Sequence, residues 1–138
     1  MIKPITVIES EAPLVAAPAA EVTIDMVDFG FGVSGTISLG TQNVRVTNKG
    51  QQEHETLLIQ LNPGASVEEF LGAFEPSAPP GPPPGQDRDG FQEVKSGGGS
   101  VFTTDFTPGN YALVCFVEEP NTGAPHFALG MIHEFTVQ

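Results

Sequence analysis

Residues 107–131 read Thr107-Pro-Gly-Asn-Tyr111-Ala-Leu-Val-Cys115-Phe-Val-Glu-Glu-Pro-Asn-Thr-Gly-Ala-Pro-His126-Phe-Ala-Leu-Gly-Met131. The stretch opens on turn formers, Thr107 to Asn110. Leu113, Cys115 and Val117 then share one parity, the period of a half-buried strand, so a strand is expected over 110–117. Proline, asparagine and glycine between 120 and 125 make a loop. A second strand is expected over 131–137, where Met131, His133, Phe135 and Val137 share a parity.

Working outward, the same period recurs. Val22, Ile24 and Met26 alternate with Thr23 and Asp25, until Gly30, Gly32 and Gly35 are expected to break the strand. Short strands follow over 35–39 and 43–47, the latter ending in an Asn48-Lys49-Gly50 turn. Leu57, Ile59 and Leu61 predict a strand from His54 to Leu61 that stops at Asn62-Pro63-Gly64. Ser66 with Glu69 three residues on has the form of a capping box, and Val67, Phe70, Leu71 and Phe74 have helical spacing, so one short helix is predicted there. Residues 75–90 contain six prolines in sixteen positions and are read as a surface loop, since proline donates no backbone hydrogen bond. Further strands are expected over 91–94 and 100–106, with Gly97-Gly-Gly-Ser100 a flexible turn. About seven or eight short strands with one helix define an all-β domain, an antiparallel Greek-key sandwich or barrel. An immunoglobulin-like domain without its disulfide is the alternative all-β reading.

At 138 residues the chain suits one core. Residues 21–138 are read as that domain. Residues 1–20 hold an extended-looking Ile5-Thr6-Val7-Ile8 and an Ala/Pro-rich run over 11–20, read as a linker or the remnant of an export segment or preceding domain. Glu9 and Glu11 interrupt the apolar run a signal peptide needs, and no stretch has the ~20 apolar residues that span a bilayer. Seventeen acidic residues against five basic ones give a formal charge of −12, which argues against nucleic acid as a partner and would suit a partner with a basic patch. The single cysteine excludes an internal disulfide.

That cysteine is followed by an imidazole and then a thioether. Two histidines and a cysteine in a trigonal set, with a weak axial methionine, are the donors of a mononuclear type 1 copper centre: the sulfurs favour Cu(I), and imidazoles hold both oxidation states. His54, at the start of its strand, is placed to supply the second imidazole. Three stretches resemble the cupredoxin family over most of the chain from Val22 to Val137. Val46-Thr-Asn-Lys-Gly50 with His54 looks like the strand, turn and first copper histidine. Thr107 to Cys115 looks like the turn into the cysteine-bearing strand, and His126-x4-Met131 matches the second histidine and axial methionine. The resemblance implies His54, Cys115, His126 and Met131 as copper ligands, one-electron transfer to a redox partner protein, and an extracytoplasmic setting. The spacer from Cys115 to His126 is longer than small blue-copper proteins usually have, and is similar to that of copper nitrite reductases. Glu55 stands where cupredoxins commonly carry an asparagine that braces the cysteine loop, and Phe116 replaces the usual small hydroxyl residue.

Taken singly, each residue has a plainer reading. Cys115 is then a core thiol, His54 a solvated surface histidine, His126 a loop histidine, and Met131 a packing residue like Met26. His133 is read as a structural histidine, and Tyr111 as a corner residue whose hydroxyl ties down the neighbouring turn. No motif of an enzyme stands in a convincing context; Gly97-Gly-Gly-Ser100 lacks the lysine and helix of a phosphate loop. Three functions follow: a copper electron carrier, a metal-free interaction module on the same fold, and a copper storage or delivery protein.

Overall fold

The computed structural model describes residues 16–138 and, before them, Thr6 alone. Apart from Thr6, the extended patch expected over 5–8 and the first part of the Ala/Pro-rich run lie outside the described residues. Ten elements follow: β1 (Val22–Val27), β2 (Gly30–Gly35), β3 (Gly40–Asn48), β4 (His54–Leu61), α1 (Val67–Gly72), β5 (Gly85–Val94), β6 (Gly99–Phe106), β7 (Gly109–Val114), a 3-10 turn (His126–Leu129) and β8 (Ile132–Val137). Among the described residues no helix is long and apolar enough to cross a membrane.

The strands form two four-stranded sheets, ordered β2-β1-β3-β6 and β5-β4-β7-β8. β1 and β3 pair in parallel, and every other pairing is antiparallel. Val22, Ile24, Met26, Val44 and Val46 from the first sheet meet Leu58, Leu113, Cys115 and Val137 from the second in one core. In the first sheet and in β7 that alternation is the one read from the sequence, since side chains two apart on a strand share a face. β4 is buried on both faces. Leu58 points into the sandwich, whereas Ile59 and Leu61 pack with Ala112 and Val114 beneath Val67 and Phe70 of α1. The helix starts as its capping box requires: Ser66 Oγ accepts from Glu69 N, and Glu69 Oε2 accepts from Ser66 N.

Two expectations need correction. Gly30, Gly32 and Gly35 do not end the first sheet but form β2, and residues 36–39 are irregular. β2 is an edge strand paired only with β1, where glycine's lost packing is small because one side of the ladder faces outward. The loop expected to run to residue 90 stops at Pro84. From Gly85 to Val94 every residue has a backbone N–H, and β5 pairs with β4 over that run. Gly90 is obligatory in that pairing, since its φ is +140° and a Cβ there would collide with the Thr56 carbonyl oxygen.

Tyr111 closes the far end of β7. Its hydroxyl accepts from Thr107 N at 3.2 Å and donates to Thr107 O at 3.0 Å, and its ring stacks on Phe135. Tyr111→Phe is expected to lower stability by about 1–2 kcal/mol, because both hydrogen bonds go and the amide is left unpaired; urea unfolding with an unchanged slope would measure it.

Candidate metal centre

Four elements converge at one pole of the sandwich. His54 begins β4, Cys115 follows the last residue of β7, His126 opens the 3-10 turn, and Met131 immediately precedes β8. All four are fully buried. One donor atom each from His54, Cys115 and His126 lies within 4.8 Å of the other two, the one such group of three among the described residues. Met131 joins Cys115 in the inner core.

The ten-residue spacer reaches this geometry by folding back on itself. His126 N donates to Val117 O at 2.8 Å, Glu119 N to Ala124 O at 2.8 Å, and Glu118 and Pro125 form a β-bridge. The buried Glu119 carboxylate organises the tip, accepting from the backbone amides of Asn121 and Thr122 and from Asn121 Nδ2. Burial opposes its ionisation, but these hydrogen bonds hold its carboxyl below the usual range. Behind this small hairpin, Phe127 N donates to Cys115 O, Met131 N to His126 O and Cys115 N to Met131 O. Three of the expected site residues are thereby laced together by backbone.

The orientation of the two imidazoles is set from outside. His54 Nε2–H donates to Asp28 Oδ1 at 3.0 Å, and His126 Nε2–H donates to Gln52 Oε1 at 3.0 Å. A carboxylate can only accept, so His54 carries a proton on Nε2 and turns Nδ1 inward; the Gln52 carbonyl does the same for His126. The two Nδ1 atoms face each other at 3.1 Å, and Cys115 Sγ is 3.4 Å from His126 Nδ1. Two lone pairs at that separation repel unless a cation or proton lies between them. A buried set of two ring nitrogens and one sulfur fits a metal that tolerates both imidazole and thiolate.

Asp28 sits in the turn between β1 and β2, where it also accepts from Gln51 N and Gln52 N. Burial raises its carboxyl, but hydrogen bonds from Gln52, His54 and Gln51 outweigh that and hold it below the ordinary range. Next to it Phe29, in the left-handed region at φ 66°, sets its ring edge-on to His126 at 5.2 Å between centroids. Gly50 leaves room for the contact: a Cβ there would run into Asp28 Oδ1 and lie 2.7 Å from His54 Nε2. Burial and the neighbouring His54 push the His126 pKa down, so its ring is neutral and able to ligate.

Glu55 does the bracing that the resemblance assigns to an asparagine. Its Oε1 accepts from Phe116 N at 2.6 Å, and its own N–H donates to Cys115 Sγ at 3.3 Å. Burial, with Glu93 and Asp87 nearby, raises the Glu55 carboxyl. Burial likewise raises the Cys115 thiol, against hydrogen bonds that favour the thiolate. His133 lies outside the cluster, half-buried against Phe135. Asp28 and Gln52 went unnoticed in the sequence; the signal was the Asn48-Lys49-Gly50 turn, whose glycine is there for a close approach.

Sequence comparison finds no matching family model and no matching curated protein. Comparison of structures does find similar folds. A reduced auracyanin from Roseiflexus castenholzii superposes with a TM-score of 0.54 at 22% identity, over 84% of this chain and 94% of that one. Auracyanin A, a blue copper protein of Chloroflexus aurantiacus, gives 0.54 at 16% over 84% and 96%. Reduced rusticyanin gives 0.51 at 22% over 88% and 83%. The chain has the cupredoxin fold. At these identities the likeness is one of fold.

In this cupredoxin fold, Glu55→Ala is expected to cost about 1–3 kcal/mol by leaving the Phe116 amide without its acceptor, whereas Glu55→Gln keeps a carbonyl there and costs less; denaturant unfolding of the two variants makes the comparison. The metal-free native protein is also expected to react with an aromatic disulfide reagent at neutral pH far more slowly than the unfolded chain, since Cys115 is buried and protonated. Equal rates in the two states would contradict that placement.

Proposed function

We propose that the chain is a mononuclear type 1 copper protein that carries single electrons, with His54, Cys115 and His126 as trigonal ligands and Met131 as the axial one. The observation that carries this reading is the pair of mutually facing imidazole nitrogens beside a buried thiol. Copper held there supplies one-electron chemistry between Cu(II) and Cu(I). The chain's own residues do the rest. Asp28 and Gln52 fix the ring orientations, Glu55 N–H donates to the sulfur, and the folded spacer keeps Cys115 and His126 at one separation. Donors fixed before the metal arrives have little to rearrange when its charge changes, which favours fast transfer.

Full burial of all four side chains supports retention over delivery of the metal. Convergence of the donors supports ligation over a metal-free interaction module, for which splayed histidines and a cysteine sealed in apolar surroundings would be the mark. An electron carrier needs no catalytic group beyond this set, and an extracytoplasmic setting belongs to the same proposal.

Addition of Cu(II) to the metal-free protein is expected to give one copper per chain and an intense visible thiolate-to-copper band. Cys115→Ser should abolish the band, while Met131→Leu should keep the colour and raise the reduction potential, because the axial donor that stabilises Cu(II) is lost. Failure to bind one equivalent, or a band that survives Cys115→Ser, would sink the assignment.

A further inference from the structure

His126 has no exposed surface, being covered by Gln52 and Phe29. A partner therefore does not touch that ring. The centre comes close to the surface on another side, through Phe116, the residue after Cys115. Phe116 packs edge-on with Phe127 at 5.0 Å and with Phe74 at 5.9 Å between centroids. These three rings and Leu71 floor an open groove of about 540 Å³. Phe74 is 59% exposed, the most exposed of the large apolar side chains among the described residues. An uncovered aromatic surface of this kind marks a contact site.

The groove is fringed by Glu68, Glu75 and Glu118, and no lysine, arginine or histidine lines it. Across the Phe74–Phe116 wall lies a second hollow of about 670 Å³ bearing Glu55, Asp87 and Asp89 against Arg88 alone. Aromatic floor and charged rim have the anatomy of a protein interface, with the rim setting the encounter rate and the floor the hold.

We propose that this groove is the docking surface for a redox protein presenting an apolar tip ringed by lysine or arginine. The proposal rests on the copper reading above. One electron passes from the reduced partner to Cu(II), leaving Cu(I) and a partner oxidised by one electron, with no proton moved. The electron enters through the Cys115–Phe116 backbone, so contact at Phe74 or Phe116 lies close to the thiolate.

A basic c-type cytochrome serves as the probe. In its reduced form, mixed with the copper-loaded protein in stopped flow, it should reduce the wild type at a rate that falls with added salt. Glu75→Gln/Glu118→Gln and, separately, Phe74→Ser should slow reduction by roughly tenfold with the visible band unchanged. The charge-matched control Glu21→Gln/Asp105→Asn on the other sheet should not. Amide shifts of the labelled protein on adding the cytochrome should centre on Leu71, Phe74, Phe116 and Phe127, whether or not metal is bound. Shifts centred elsewhere, or equal slowing by groove and control variants, would overturn the groove. A missing copper band in the wild type would overturn the metal reading, while the shift map still decides the docking surface.

Discussion

Everything at the functional pole answers to one constraint: two imidazoles are held with their Nδ1 atoms 3.1 Å apart in a buried site. In the absence of a positive charge between them that arrangement is repulsive. It persists because each ring is tied at its other nitrogen, His54 to Asp28 and His126 to Gln52, and because strands hold the backbones. Such outer contacts commonly change metal affinity 10–100-fold when removed.

The rest of the sandwich serves that pole. β4 and β7 are adjacent and antiparallel, so the start of one and the end of the other fall at the same end. The hairpin between Val117 and His126 then cancels the length of the spacer: ten residues pair with themselves, leaving His126 beside Cys115. The β1–β2 turn comes over from the opposite sheet to supply Asp28 and Phe29. The centre thus bridges both layers, and Gly50 is the small residue that lets them close on it.

Much of this was legible in the sequence. Val22-Ile24-Met26, Val44-Val46 and the 54–61 run announced strands by period alone, and Ser66 with Glu69 marked a helix start. The order Cys115, His126, Met131 with His54 upstream named the candidate donors. Two kinds of information stayed hidden. Edge and bulge positions such as Gly30–Gly35 and Gly85–Gly90 look like breakers, because glycine carries no periodicity, although an edge or a close approach is where a sheet accepts it. Long-range polar pairs stayed hidden as well. Asp28 lies 26 residues from His54, and Gln52 lies 74 from His126. Their pairing depends on how two turns stack, which no local pattern encodes. Glu55 shows the intermediate case, a departure visible in the sequence whose acceptor role became clear only once Phe116 N was seen to face it.

Which atoms hold the metal is decided by X-ray absorption at the copper edge of the loaded protein in both oxidation states. Two imidazole nitrogens and one short thiolate sulfur, retained on reduction, are the predicted result. A shell of nitrogen and oxygen without sulfur, or loss of an imidazole when the copper is reduced, would contradict the account.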